Sequence, residues 1–159
     1  MENKPLAYRL MSVSTEKFMY TMPSKEFDIK KNVVVSYYVD PQLMFNVKEE
    51  HIIINCKIKC SILETQELIM EIETLYVFIV DNLGKYVVTK DTKTEFIDKK
   101  NLAFLASLIG LSYSTSRGIV LEKCRGTIVE TQVMPVINPM KFIKPIEEVK
   151  EAKPAKKKK

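Results

Sequence analysis

The chain reads as an α+β domain, a four-stranded antiparallel sheet with helices packed on one face. Three observations predict this. Ile52, Ile54, Cys56, Ile58, Cys60 and Ile62 alternate with Ile53, Asn55, Lys57, Lys59 and Ser61, the period of a strand with one face on a core and one wet. Other stretches before Asp81 also carry apolar residues at strand period. After Asn101 the period changes, and Leu102, Leu105, Leu108 and Ile109 recur at helical spacing. Strands first and helices after is an α+β order.

The first strand region runs from Leu6 to Met22. An interruption near Ser14–Glu16 predicts a bulge or break, and Pro23 ends the strand. The second lies within Phe27–Val47, with Val33, Val35, Tyr37 and Val39 on one face. Asp40-Pro41 is a turn signal, and Leu43–Val47 either continues past a kink or forms its own short strand. The third is the Ile52–Ile62 run.

The fourth strand, Glu67–Val80, puts Met70, Ile72, Thr74, Tyr76 and Phe78 on one face. The other face begins with Glu71 and Glu73, then turns apolar at Leu75, Val77 and Ile79. A strand apolar on both faces is covered on both. Helices supply one cover. The other is expected from a second subunit, from a bound chain, or from a local fold-over of Phe27–Val47. Asn82-Leu83-Gly84 closes this strand, Tyr86–Val88 is a candidate extension, and Thr89–Lys100 reads as a polar connection.

The helical part divides in three. A first helix is capped by Asp98 or Asn101 and stopped by Gly110. A second starts at Ser112 or Ser114 and ends at Gly126. A third short turn starts at Asn138-Pro139, a cap followed by proline. Gly118 lies inside the second helix, where glycine costs about 1 kcal/mol relative to alanine. It is expected where another backbone comes close.

A chain of 159 residues with 46% hydrophobic content suits one domain. A domain of that size buries about 68–70% of its unfolded surface, enough to need no disulfide or metal. Residues 1–146 form that domain. Residues 147–159 carry six Lys and three Glu, and read as a disordered tail of charge +3. The net charge of +5 leaves +5 − 3 = +2 for the body, so long-range steering of DNA is not expected. The Lys-rich tail reads first as solvated, with RNA or anionic lipid as its alternative contacts. Lys4 and Arg9 precede no apolar run and no segment approaches about 20 apolar residues, so neither a secretory leader nor a membrane span is expected. With Cys56, Cys60 and Cys124 unpaired in pattern, this predicts reduced core thiols and a cytoplasmic location.

Little supports catalysis, and the chain is expected not to be an enzyme. His51 stands alone beside Glu49 and Glu50, too few convergent ligands for a metal, and no phosphate-cradling or nucleophile motif occurs. Glu71 and Glu73 share a strand face at a spacing that suits an acid–base pair, but a wet face is the commoner cause. No metal or cofactor is expected. What the chain offers is apolar capacity. Leu75, Val77 and Ile79 on the sheet, with Met134, Met140 and Phe142 after the helices, predict a groove for unfolded or precursor proteins. Methionine adapts to varied partners, and an open strand edge pairs with extended chains.

The pieces from Leu102 onward resemble the SecB family of export and holdase chaperones. They are the short apolar helix Leu102–Leu111, Arg117 in the next helix, Arg125-Gly126-Thr127 at its end, and Pro135, Val136 and Asn138 in the following turn. Phe18 and Pro23, and Glu71, Val77 and Phe78, match earlier parts of the pattern. Tyr76 replaces a family glycine and Ser114-Thr115-Ser116 a Pro-Tyr-Ala. The resemblance implies a homotetramer built as a dimer of dimers, with Arg117, Gly118 and Leu121 at the subunit interface. It implies ATP-independent holding of non-native polypeptide for protein export or transport, with a SecA-like motor, or for a dedicated client such as an antitoxin in a toxin–antitoxin pair. A purely structural oligomer and an RNA-binding module acting through the tail are the rival readings.

Overall fold

A computed structural model describes residues 6–24, 33–90, 93–96 and 101–143. The expected tail, and Asp98 as a cap, lie outside the described residues. Strands β1 (Tyr8–Tyr20), β2 (Val35–Asn46), β3 (His51–Ile62) and β4 (Leu68–Val80) form one antiparallel sheet in the order β1-β4-β3-β2. Strands β5 (Val87–Lys90) and β6 (Lys93–Phe96) form a separate hairpin. A single helix, α1 (Leu102–Lys123), follows, and a 3-10 turn spans Pro139–Phe142. Among the described residues the fold is thus a four-stranded antiparallel sheet with one α-helix.

The sheet follows its apolar period. On β3 the even-numbered residues from Ile52 to Ile62 are buried and the odd ones half-buried. Met70, Ile72, Thr74, Tyr76 and Phe78 of β4 are fully buried on the same side, under α1. The interruption in β1 is two register shifts, at Met11 and at Glu16. The second falls within the expected Ser14–Glu16.

Asp40-Pro41 is not a turn. β2 runs through it in unbroken register, Asp40 opposite Lys57 and Pro41 opposite Cys56. β2 is an edge strand, and an edge tolerates proline because one side of its backbone has no ladder to serve. Leu43–Asn46 therefore continues β2, and this strand lies in the sheet instead of folding over its outer face. Val87–Lys90 and Lys93–Phe96 are not an extension of β4 and a polar connection. They make the β5–β6 hairpin, whose buried Phe96 meets the rings of Phe45 and Phe104.

The two expected helices are one of 22 residues. Gly110 does not stop it. At that position an added Cβ would sit 3.5 Å from the Pro139 ring, so the glycine lies where the chain after the helix crosses α1. Of the two expected starts of a second helix, Ser112 is fully buried on the sheet-facing side, as is Ser116 one turn on, and Ser114 is exposed. The helix ends at Cys124, and Gly126 follows at φ +75, a conformation glycine adopts without strain. Undivided, α1 is long and apolar enough to cross a membrane by length and composition, contrary to the expectation of no such segment. It packs here as the core helix of the domain. Asn101 precedes the helix without a side-chain cap bond, whereas Asn138 does cap the 3-10 turn, accepting from the Met140 amide at 3.1 Å.

Candidate functional site: an open edge strand and two unlike sheet faces

The outer face of the sheet splits into two halves. At one end Glu71 is the hub of an ion-pair network. Lys17 of β1 reaches it at 2.6 Å, Lys59 at 3.4 Å and Lys57 at 3.5 Å, and Lys57 also meets Glu73 at 2.6 Å. The Glu71 side chain is only 7% exposed. Its bond from Lys17 is the main cause holding its pKa below the ordinary carboxylate value, despite burial acting the other way. The Lys57 ammonium is held above its usual value, chiefly by its bond to Glu73. These five side chains tie β1, β4 and β3 together, which is what the Glu71–Glu73 spacing does here.

The signs give a pH prediction. A depressed Glu71 pKa means stability fully present above the unfolded value of 4.5 and lost as pH falls through the lower folded value. The raised Lys57 pKa contributes below the unfolded value of 10.5 and is lost as pH rises through the folded one. Glu71→Gln is therefore expected to flatten the acid limb of a melting-temperature profile. An unchanged acid limb would show that the network contributes nothing measurable.

The other half of the outer face is apolar. Val77 pairs with Ile53 and Ile53 with Met44; Leu75 and Ile79 lie above and below on β4. Leu75, Val77 and Ile79 are half-buried, as centre-sheet residues are when only their strand neighbours flank them. No helix or hairpin among the described residues contributes to this side.

The structure does not bring the six expected client-binding residues together. Leu75, Val77 and Ile79 point away from α1. Met134 is buried in the core on the helix side, and Met140 and Phe142 lie in the 3-10 turn packed on α1. The single groove between sheet and last helix is replaced by two separate surfaces. Arg117 lies 6.0 Å from the centre of the Tyr113 ring, a contact within the protomer. Gly118 and Leu121 are exposed on α1, and an added Cβ at Gly118 would meet nothing within 4 Å.

The sequence reading missed the most open apolar surface, β1. Among the described residues it pairs only with β4, so one row of its main-chain groups has no partner strand there. α1 lies mainly over β3 and β4 and covers the helix-side face of β1 only in part: Tyr8 is 48% exposed, Leu10 43% and Val13 38%. Met11, at the first bulge, is 60% exposed. The strand is anchored at both ends. Tyr8 stacks edge-on against Phe78 and Phe104, while Lys17 bonds Glu71 on one face and Phe18 meets the Lys123 ammonium on the other. Apolar side chains on both faces of a terminal strand were the available signal.

The remaining chemistry is structural. Cys56, Cys60 and Cys124 are buried and free, and burial raises all three thiol pKa values, that of Cys60 to about 11. Protonated, buried thiols are poor nucleophiles. His51 lies 3.6 Å from Glu49 at the start of β3. Among the described residues no three His, Cys, Asp or Glu side chains converge as a metal site requires.

No protein-family model matches the chain, and no curated protein matches it. Among solved structures the chain is similar to a Mycobacterium tuberculosis SecB-like chaperone in complex with a ChAD peptide from the HigA1 antitoxin. The TM-score is 0.39 and the identity 5%, with 71% of this chain and 80% of that chain covered.

Proposed function

We propose that this chain is a SecB-like holdase that binds non-native polypeptide without nucleotide and makes or breaks no bond. The observation that carries the reading is β1, a 13-residue strand at the sheet edge among the described residues, with a main-chain row unpaired there and exposed apolar residues on its helix-side face and at its first bulge. Unfolded chains present unpaired backbone and scattered apolar side chains, and an open strand edge beside apolar surface serves both. The apolar outer half at Leu75, Val77 and Ile79 adds a second surface. Natural edge strands are usually guarded by proline, charge or bulges. β2 carries Pro41, whereas β1 has two bulges and the charges Arg9, Glu16 and Lys17 but no proline, and leaves its apolar residues open. Export with a SecA-like motor and service to one client such as an antitoxin are two settings for the same act. The buried free thiols suit the cytoplasm.

The test is suppression of aggregation by a chemically unfolded substrate, with no nucleotide present. Holding at near-stoichiometric chain is the expected result. Aggregation at the rate of the substrate alone would leave a structural oligomer as the better reading.

The same proposal includes a homotetramer, with Gly118 at a helix crossing between subunits beside Arg117 and Leu121. An added Cβ at Gly118 meets nothing within 4 Å among the described residues, and leucine there would add about 1 kcal/mol of helix propensity. Gly118→Leu is thus expected to keep the protomer folded while lowering the assembled mass. Light scattering reads this directly, and an unchanged mass would remove Gly118 from the interface.

A further inference from the structure

We infer that the segment Val133–Ile143 is a strap that opens as a unit, latched by Tyr113, and that its opening enlarges the surface offered to clients. The inference rests on the holding function proposed above. Its motivation is that the segment is held by side-chain packing, with Met134, Ile137, Phe142 and Ile143 against the core, and by few hydrogen bonds among the described residues. Residues 133–138 form no helix or strand, and the main-chain bonds from Lys141 and Ile143 stay within the 3-10 turn. Among the described residues the strap's hydrogen bond to the rest of the fold is from the Tyr113 hydroxyl to the Pro135 carbonyl, at 2.6 Å. Met134 fills a site in the core at 4% exposure, and the Pro139 ring lies against α1 at Gly110. Val133 and Val136, by contrast, are 87% and 90% exposed.

Few non-local hydrogen bonds and much exposed backbone mark the elements of lowest local stability. Burial keeps the Tyr113 phenol above its ordinary pKa, so it remains a donor across the working pH range. Opening would uncover the core site now filled by Met134 and the α1 surface around Gly110 and Tyr113. Met134, Met140 and Phe142 would then move with the strap, as the adaptable part of the binding surface.

Three methionines separate local opening from global unfolding. Met134 is the strap's own buried residue, Met70 is fully buried in β4, and Met140 is exposed. Under dilute peroxide, Met134 is expected to oxidise more slowly than Met140 but faster than Met70. Tyr113→Phe should speed Met134 roughly 2- to 10-fold, the worth of one net hydrogen bond, and leave Met70 and Met140 unchanged. Equal rates at Met134 and Met70 would overturn the strap. A disulfide between Gly110→Cys and Pro139→Cys should slow Met134 oxidation and reduce client holding, with both restored by reductant. A closed disulfide that leaves holding at the wild-type level would overturn the link to clients. Loss of holding in the wild-type chain itself would overturn the holdase reading, and the methionine rates would still report on the strap.

Discussion

Ser116→Ala is expected to destabilise the protein by about 2 kcal/mol, an unusually large effect for removing one hydroxyl. Ser116 is the point where α1 is pinned to the sheet. Its Oγ lies 2.6 Å from Thr74 Oγ1 and 2.7 Å from Tyr76 Oη, and all three residues are fully buried. Thr74 also donates to the Cys56 carbonyl at 3.3 Å, so it keeps a partner when the serine is removed. Tyr76 keeps only the neighbouring Thr74 hydroxyl, and losing a partner at a buried hydroxyl costs about 1–3 kcal/mol. Tyr76→Phe in the Ser116→Ala background should therefore recover part of the loss, and the double mutant should cost less than the two single changes summed.

Ser112, one turn earlier on the same buried side, supplies the control. Its Oγ has no hydrogen-bond partner among the described residues. Ser112→Ala removes an unsatisfied group and raises helix propensity, and should be neutral or stabilising. Chemical denaturation of the four variants checks the set. Equal losses at Ser112 and Ser116 would mean that packing, and not the hydroxyl network, decides.

Phe78→Ala is expected to cost about 3–5 kcal/mol, as large-to-small changes of a buried aromatic do. Phe78 is fully buried at the end of β4, and its ring meets Tyr8 at a centroid distance of 6.4 Å. The consequence should extend past the core. Tyr8 is the anchor at the start of β1, and it would keep only its contact with Phe104, at 5.3 Å. Amide exchange should then rise first in β1 and less in β3, which is held on both sides by β2 and β4. Uniform loss of protection across the sheet would show that β1 is not separately anchored there.

These two sites also show what could be read from the chain. The β3 alternation needed no context, because every second residue from Ile52 to Ile62 is apolar and each is buried. The Asn138-Pro139 start was equally local, being a cap followed by proline, and it forms as expected. The helix division failed because its evidence was polar. Ser112 or Ser114 reads as a surface start, yet Ser112 is buried, and Ser116 one turn on is satisfied by Thr74 and Tyr76 of β4, 42 and 40 residues away. No periodicity within the helix reveals a partner on another strand.

Asp40-Pro41 failed for a related reason. Whether proline ends a strand depends on that strand's place in the sheet, and strand order is a long-range property. For the candidate site, the apolar residues of β4 were legible as unusual, but the groove joining them to Met134, Met140 and Phe142 was not a local property. It depended on which side of the sheet the chain returns to after α1. The openness of β1 was missed because exposure there is set by how far α1 reaches across the sheet.

The most direct measurement of the holding claim is amide exchange on the intact chain, with and without a saturating client that cannot fold, such as a reduced and carboxymethylated protein. The account predicts new protection within Tyr8–Lys17, where one main-chain row has no partner strand among the described residues, with the buried amides of β3 unchanged. Client bound with no added protection anywhere on β1 would contradict it.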